Sequence, residues 1–330
     1  MTLMLERLSH LGVQTFAINP RSLDRKTCWS DIRNVTSWSE RHGCSGVLIF
    51  TGGDAPLDPW VVAQHVLGST ERLTPLIALN PIYSHPYTAA KMIASYAVLF
   101  ERQVFINLVA GATVSYQRSL GDVSDHDRRY DRLREYVKIV DALLSDRRPL
   151  TFTGDFYSVS QLKLPTLPPA ELLPRYLLSG HSEAASRLRD DVGAVGMQML
   201  PASLDEGVDA TRTGLHFGIV TRPTAAEAWD VARRRFPDDP ERREIMDAVA
   251  GNSDSVWRAR MKMVEASAGG KEGFWLQPFA NFYADCPYFV GSYEEVSALV
   301  TRLVGRGVRW LIFDIPPSEQ EFEHVAAALR

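Results

Sequence analysis

A short polar run, Ser179-Gly180-His181-Ser182, lies where the sequence pattern changes from an apolar strand to a helix. Its glycine lets the backbone approach a ligand closely, and serine hydroxyls with free N–H groups at a helix start attract a phosphate. Serine is also a common N-cap, so the same run fits a capped helix that binds nothing. Taken alone, the run leaves both interpretations open.

A second polar run, residues 125–130, begins the clearest helical segment of the chain. Asp125 can cap this helix, and His126 and Tyr130 are four residues apart and so share a face. Apolar residues follow at helical spacing, with Arg and Asp on the opposite side. By itself this pattern is typical of an ordinary helix start with a solvated charge cluster.

The residues that end the other apolar runs are mostly neutral hydrogen-bonding groups. No HExxH, no GxSxG and no carboxylate pair at metal-ligand spacing is present in the sequence, and no lysine ends a strand. The pattern therefore predicts a site that holds a cofactor rather than one that supplies its own acid, base or metal. The strand-end residues are Asn19, Thr51, Asn80, Asn107, Ser179, Gln198, Arg222 and Asp314.

Two histidines are candidates for catalysis. His216 lies within an apolar strand, and a histidine that faces a pocket titrates near neutral pH and can move a proton. His85 lies in the loop after the third strand and can approach a cofactor ring. The alternatives are a core histidine for His216 and an exposed loop residue for His85.

Short apolar runs and helical segments alternate along the chain and must position these residues. Eight such strands predict a (β/α)8 TIM barrel, an α/β fold whose site lies at the carboxyl ends of the strands. A doubly wound open sheet is disfavoured, because no glycine follows the first strand. The predicted strands are 12–18, 46–51, 75–80, 104–110, 175–179, 193–199, 214–221 and 308–314. The predicted helices are 30–42, 57–68, 86–100, 127–145, 181–190, 223–236, 293–305 and 318–329.

Two stretches interrupt this alternation within a single predicted domain, residues 1–330. Residues 147–174 are rich in proline and aromatic residues, and we expect an excursion with a small hairpin around Gly154. Residues 237–290, which include a dense aromatic run at 274–289, are predicted to form an insertion after the seventh strand. Such a segment acts either as a lid or pocket wall or only as packing over one end of the barrel.

The composition excludes several functional classes. The chain has 330 residues, 36 Lys and Arg against 40 Asp and Glu, and a formal charge of −4, which argues against nucleic-acid binding. Three scattered cysteines do not make a disulfide scaffold, and no run of about 20 apolar residues predicts a membrane helix. No signal peptide is evident at the start of the sequence, so we expect a cytoplasmic protein.

The sequence as a whole resembles the bacterial luciferase-like monooxygenases, most closely their alkanesulfonate monooxygenase branch. The resemblance covers nearly the whole chain in order, and the family fold is a TIM barrel with insertions. The runs that carry it include GVLIFTGG (46–53), HPYTAAKMIASYAVL (85–99), INLVAGA (106–112), HDRRYDRLREYVKIVDALL (126–144), LLSGHSEAA (177–185) and GIVTRPTAAEAW (218–229).

The resemblance implies a flavin mononucleotide (FMN) site built by these residues. Asn107 should face the flavin, with Thr51 and Asn80 near the isoalloxazine ring. Tyr130 should bond to the phosphate with His126 nearby. The phosphate site is completed by the helix start, Ser179, Gly180, His181 and Ser182. Neutral donors suit the polar edges of a flavin, and a helix start suits its phosphate.

The sequence departs from the alkanesulfonate branch at its substrate site. The Arg-x-His pair of that branch aligns with His216 and Gly218, and the family cysteine after the second strand is replaced by the stretch 52–56. A tyrosine expected after the last strand is also absent. Because a sulfonate needs paired positive charge, the sequence does not predict desulfonation.

The resemblance implies a two-component monooxygenase. Reduced FMN from a separate NAD(P)H-dependent flavin reductase would react with O2 to form a peroxyflavin, which oxygenates a small organic substrate. The alternatives are a deazaflavin-dependent hydride-transfer enzyme and a non-catalytic flavin-binding protein. The family also implies a homodimer or homotetramer. Trp29, Trp38 and Trp60 on the early helices supply either an apolar dimer face or, as is more usual for tryptophan, part of the core, so the expected assembly rests mainly on the family.

Overall fold

The computed structural model describes residues 6–20, 24–53, 55–111, 113–180, 182–203, 213–256, 259, 261 and 273–329. These residues form two compact units, a terminal unit (residues 1–48 and 197–330) and a central unit (residues 49–196). The helices are α1 (Glu6–His10), α2 (Cys28–Arg41), α3 (Pro59–Ser69), α4 (Pro86–Phe100), α5 (Val114–Ser119), α6 (His126–Ser145), α7 (Glu183–Val192), α8 (Ala225–Arg235), α9 (Pro240–Gly251), α10 (Gln277–Ala280), α11 (Tyr293–Gly305) and α12 (Glu319–Ala328). The strands are β1 (Gln14–Ile18), β2 (Gly46–Ile49), β3 (Thr74–Leu79), β4 (Phe105–Leu108), β5 (Leu150–Thr153), β6 (Ser158–Leu162), β7 (Arg175–Ser179), β8 (Val195–Met199), β9 (Thr213–Arg222), β10 (Phe274–Trp275), β11 (Tyr288–Ser292) and β12 (Trp310–Asp314).

The terminal unit is built on a parallel sheet. β1 pairs with β2 on one side and with β12 on the other, and the first half of β9 also pairs with β12. The second half of β9 pairs in parallel with β11. These strands are buried along almost their whole length, as expected of a parallel sheet that is covered on both faces.

The central unit is built on β3, β4 and β7, which are adjacent and parallel. Helix α6 packs against α4 and α7 through the apolar stripe that its sequence predicts. Because parallel strands end at the same edge of a sheet, the residues that follow β3, β4 and β7 are brought together.

A hairpin made by β5 and β6 occupies the excursion between the fourth and fifth long strands, so the predicted hairpin around Gly154 is confirmed. Glu135 of α6 fixes its turn by accepting hydrogen bonds from the backbone N–H groups of Asp155, Phe156 and Tyr157 at 2.7, 2.9 and 3.2 Å. A side chain at Gly154 would overlap the Glu135 carboxylate, which explains why a glycine stands there.

The predicted strands and helices lie within two residues of the observed ones. The sequence pattern did not identify β11, which was included in the predicted insertion 237–290. The residues YFVG of β11 follow a run of aromatic and polar residues, and their burial depends on pairing with the distant β9. The end of that segment is therefore a buried sheet strand.

Candidate functional site

Three polar residues of the predicted site lie on one face of the central sheet. The register pairs Asn107 with Ala78 and with Leu177, so these three positions share a face. Side chains alternate along a strand, which places Ser179 and, just beyond the end of β3, Asn80 on the same side. Ser179 Oγ donates to Asn107 Oδ1 at 3.5 Å, a long bond that leaves the amide N–H groups of Asn107 for a ligand.

Asn80 and Thr51 lie at the ends of their strands, as predicted. Asn80 is buried, and its Oδ1 accepts from the N–H of Ile82 at 3.2 Å, which shapes the turn after β3. Its side-chain amide N–H groups therefore point away from that turn bond. Thr51 is half-buried in the loop after β2.

Helix α6 begins as the sequence predicts. Asp125 caps it by accepting from the N–H of Arg128 at 2.9 Å. His126 and Tyr130 are one helical turn apart, and the centroids of their rings are 5.0 Å apart, so the predicted shared face is confirmed. His126 Nδ1 is 2.7 Å from the exposed Asp127 carboxylate, which orients the imidazole.

Tyr130 reaches from α6 to the loop between β7 and α7. A Cβ at Gly180 would lie 2.8 Å from the Tyr130 hydroxyl and 2.8 Å from Ala185 Cβ, so this close approach requires glycine. Ser182 caps α7 and accepts from the N–H of Ala185 at 3.1 Å. The cap uses the hydroxyl oxygen as acceptor and leaves its O–H to donate. His181 lies outside the described residues.

His85 has a structural role in addition to its predicted catalytic one. It is the N-cap of α4, where Nδ1 accepts from the N–H of Tyr87 at 3.2 Å. This bond places the proton of the neutral ring on Nε2. The ring also meets the edge of Tyr157 at 6.0 Å, and burial raises the pKa of the Tyr157 hydroxyl to about 12, so that group stays protonated.

His216 lies in the terminal unit, at a half-buried position of β9 opposite Ile312. Two residues further on, Gly218 is flanked by Tyr288 of β11 and Asp314 of β12. A Cβ at Gly218 would overlap the Tyr288 ring, so the aromatic ring fills the space that a side chain would take. This packing gives the structural reason for a glycine where the alkanesulfonate branch has the histidine of its Arg-x-His pair.

The sequence did not reveal Tyr116, which covers the glycines after β2. A Cβ at Gly53 would lie 2.8 Å from the Tyr116 ring, and the hydroxyls of Tyr83 and Tyr116 are 3.5 Å apart. A similar fit pairs Gly111, in the left-handed conformation at φ 89°, with the buried side chain of Gln117. The sequence indicated these contacts only through a glycine in the loop after each of the two strands, Gly53 after β2 and Gly111 after β4.

A cavity of about 310 Å³ lies in the terminal unit beside the end of β12. Tyr283 and Tyr288 belong to the aromatic run at 274–289, for which a pocket wall was one of the two expected roles. Burial, followed by the nearby Asp314 carboxylate, raises the pKa of Tyr288 well above its usual value, so its hydroxyl stays a donor. The residues that line this cavity, named here the aromatic cavity, are Arg235, Phe236, Tyr283, Tyr288, Asp314, Pro316, Pro317 and Ser318.

Arg235, one of the residues that line this cavity, belongs to a buried ion-pair network around Glu321. Glu321, 1% exposed, accepts from Arg222 Nη1 at 3.0 Å and from Arg235 Nη2 at 2.8 Å. Burial alone would raise the pKa of Glu321, but the two guanidinium groups outweigh it and the pKa is lowered. The carboxylate is thus held ionised between two cations.

The described residues contain no group of three or more His, Cys, Asp and Glu placed to hold a metal ion. None of the described helices is long and apolar enough to cross a membrane. The residues around Tyr130 and Gly180 fit a flavin phosphate, because a neutral hydroxyl, a glycine that takes no Cβ and the start of a ten-residue helix converge there.

Comparison with known structures places the fold. EDTA monooxygenase (EmoA) from Chelativorans sp. BNC1 superposes with a TM-score of 0.73 at 15% identity, over 96% of this chain and 93% of that one. The oxygenating constituent of 3,6-diketocamphane monooxygenase from Pseudomonas putida, solved in complex with FMN, gives a TM-score of 0.69 at 16% identity, over 96% and 97%. The predicted (β/α)8 barrel fold is confirmed.

Sequence comparison gives the family. The 4-(gamma-L-glutamylamino)butanoyl-[BtrI acyl-carrier protein] monooxygenase BtrO from Niallia circulans is 32% identical over 302 residues, which cover 88% of this chain and 87% of that protein. The family model described as luciferase-like monooxygenase matches residues 10–309. The prediction of a flavin-dependent monooxygenase is thereby confirmed, whereas the alkanesulfonate branch stays a prediction. The chain belongs to the luciferase-like monooxygenase family.

Proposed function

We propose that this chain is the oxygenase component of a two-component system that uses reduced FMN and O2 to oxygenate a small organic substrate. The observation that carries the proposal is the close approach of the Tyr130 hydroxyl to Gly180 at the start of α7. Three features favour an anion there: the free N–H groups of a helix start, the helix dipole, and a hydroxyl that can donate.

The chain's own residues then have separable roles. Tyr130 and the α7 start hold the phosphate, while Asn80, Asn107 and Ser179 offer neutral donors and acceptors on one sheet face to the polar edge of the ring. The bound flavin supplies the oxygen chemistry. His85 is proposed to hold a proton on Nε2.

His216 is proposed to contact the substrate or transfer a proton. It lies where the alkanesulfonate branch has an arginine, at a half-buried position of β9. An imidazole at that place cannot supply the paired positive charge that a sulfonate needs, which supports a substrate of another class.

Partners and substrate follow from the same proposal. No dinucleotide fingerprint is present in the sequence, so we propose that a separate NAD(P)H-dependent reductase supplies the reduced flavin. The relative from Niallia circulans is named for an acyl group on an acyl-carrier protein. A carrier-bound acyl chain is therefore the proposed substrate class, and a homodimer or homotetramer the proposed assembly.

The phosphate contact is tested by comparing FMN with riboflavin, which lacks the phosphate. Anaerobic fluorescence titration of Tyr130→Phe should show FMN affinity lowered about 10- to 100-fold, the effect of losing a hydrogen bond to a charged group. Riboflavin affinity should not change. Tyr293→Phe, which removes a hydroxyl bonded to His324, is the matched control and should bind both flavins normally.

The same titration separates the rival functions. Preferential binding of reduced FMN, followed by oxygen-dependent product formation, supports the monooxygenase. Binding of a deazaflavin alone would replace it with a hydride-transfer enzyme, and flavin binding without product from any carrier-bound acyl substrate would favour a non-catalytic flavin protein. Equal loss of FMN and riboflavin affinity in Tyr130→Phe would contradict the phosphate contact.

A further inference from the structure

The aromatic cavity holds charged groups of both signs beside aromatic walls. Its volume of about 310 Å³ lies at the small end of the range for small-molecule sites, ~300–1,000 Å³. Arg235 contributes a guanidinium and Asp314 a carboxylate, while Phe236, Tyr283 and Tyr288 supply the rings. A site that carries both charges is suited to a ligand that carries both.

The positive end of the cavity is the Arg235 side chain. Arg235 Nη2 bonds to Glu321, and the Arg235 side chain is 29% exposed and lines the cavity. Glu321 is shared with Arg222, so two guanidinium groups face one carboxylate and one positive charge is uncompensated within this trio. A partly exposed guanidinium whose charge is not balanced favours an incoming carboxylate.

The negative end is the carboxylate of Asp314. It accepts from the Tyr288 hydroxyl, and Cys286 Sγ lies 3.8 Å from its Oδ2. A carboxylate oxygen accepts more than one hydrogen bond, so Asp314 can bind an ammonium as well.

We propose that the aromatic cavity binds an α-amino acid group, with the α-carboxylate at Arg235, the α-ammonium at Asp314 and the methylene groups against Phe236 and Tyr283. The inference rests on the proposed function and makes its substrate class more specific. The group named in the relative's substrate, γ-L-glutamylamino, ends in a free α-ammonium beside a free α-carboxylate. Free amino acids carry the same chemistry.

Calorimetric titration of the full chain with γ-L-glutamyl-4-aminobutyrate tests the proposal. The N-acetyl analogue removes the positive charge, and the α-carboxamide analogue removes the negative charge. We expect the unmodified compound to bind and each analogue to bind about 10- to 100-fold more weakly. No binding of the unmodified compound, or equal binding of the three compounds, would overturn the proposal.

Two variants assign each charge to its residue. Arg235→Gln should weaken binding of the unmodified compound about 10- to 100-fold and leave binding of the α-carboxamide analogue unchanged. Asp314→Asn should weaken binding of the unmodified compound by a similar factor and leave binding of the N-acetyl analogue unchanged. Arg234→Gln, an exposed neighbour on α8, is the control and should bind like wild type. If Arg235→Gln weakened the binding of all three compounds equally, the effect would come from a change in the fold and not from loss of the contact with the α-carboxylate. If Arg235→Gln fails to fold, Asp314→Asn and the analogue series still decide.

Two further experiments distinguish a carrier-bound ligand from a free amino acid, and failure of this inference from failure of the proposed function. The same acyl group attached to phosphopantetheine should compete with the free compound if the cavity takes the end of a carrier-bound chain, and should not compete if it takes a free amino acid. FMN affinity of Arg235→Gln and Asp314→Asn should equal that of wild type. Normal FMN binding without zwitterion binding in wild type would sink this inference and leave the proposed function intact.

Discussion

Gly180 is the residue at which a single added methyl group would crowd the proposed phosphate site. In Gly180→Ala the added methyl would meet the Tyr130 hydroxyl and Ala185 at 2.8 Å, so Tyr130 must move. We expect FMN affinity to fall about 5- to 100-fold, which corresponds to an overpacking cost of ~1–3 kcal/mol. Anaerobic FMN titration measures the change. Gly305→Ala, which meets nothing within 4 Å, should bind FMN normally, and wild-type affinity in Gly180→Ala would refute the expected contact.

Gly218 poses the same problem in the terminal unit. Its missing side chain is replaced by the Tyr288 ring, which is 2% exposed. Gly218→Ala should lower the free energy of unfolding by ~1–3 kcal/mol in urea denaturation. In the double variant with Tyr288→Ala the two costs should not add, because removal of the ring relieves the clash. Strict additivity would show that the ring and the glycine do not interact.

At the scale of elements, the β5–β6 hairpin depends on a carboxylate that α6 provides. Glu135→Gln leaves one acceptor oxygen for three backbone N–H groups. We expect hydrogen exchange at residues 155–157 to accelerate about 10- to 100-fold, since hydrogen bonds to charged groups contribute ~1.5–3 kcal/mol. Glu183→Gln, an exposed residue of α7, is the control and should leave the hairpin unchanged. Unchanged exchange in Glu135→Gln would mean that the hairpin is held by its own strands.

The elements were predictable where local pattern decides them and unpredictable where a distant partner does. An aspartate cap and an apolar stripe predict helix α6, and a run of apolar residues that ends at SGHS predicts strand β7. Strand β11 and the packing of Tyr116 against Gly53 depend on contacts between residues far apart in sequence, and no local sequence pattern predicts such contacts. Resemblance to the family indicated the residues of the proposed phosphate site. The contacts of Arg235 and Glu321 were visible only in the packing of the structure.

At the scale of the whole molecule, the Glu321 network makes stability depend on pH. Its lowered pKa means that the carboxylate stabilises the fold above about pH 4.5, its ordinary value, and that this contribution is lost as pH falls through the lowered one. Glu321→Gln should cost ~3–5 kcal/mol at pH 7, because it leaves two buried cations with a neutral partner. Urea midpoints should show the gap to wild type closing as the pH falls below about 4.5.

A surface pair provides the control for that series. Glu319 bonds to Arg41 with both side chains largely exposed, so Glu319→Gln should cost less than ~1 kcal/mol at any pH. A gap between wild type and Glu321→Gln that stays constant across the acid range would contradict the ionised state assigned to Glu321.

The three cysteines have a consequence for the durability of the enzyme. Flavin oxygenases that meet O2 without substrate release hydrogen peroxide, which attacks thiolates. Cys28, Cys44 and Cys286 are all buried, and burial raises the pKa of Cys44 to about 12, so almost none of that thiol is ionised at neutral pH. Under the proposed function, the buried thiols of the folded chain are thus shielded from the hydrogen peroxide that the bound flavin would release, and oxidation of these thiols should begin only after local unfolding.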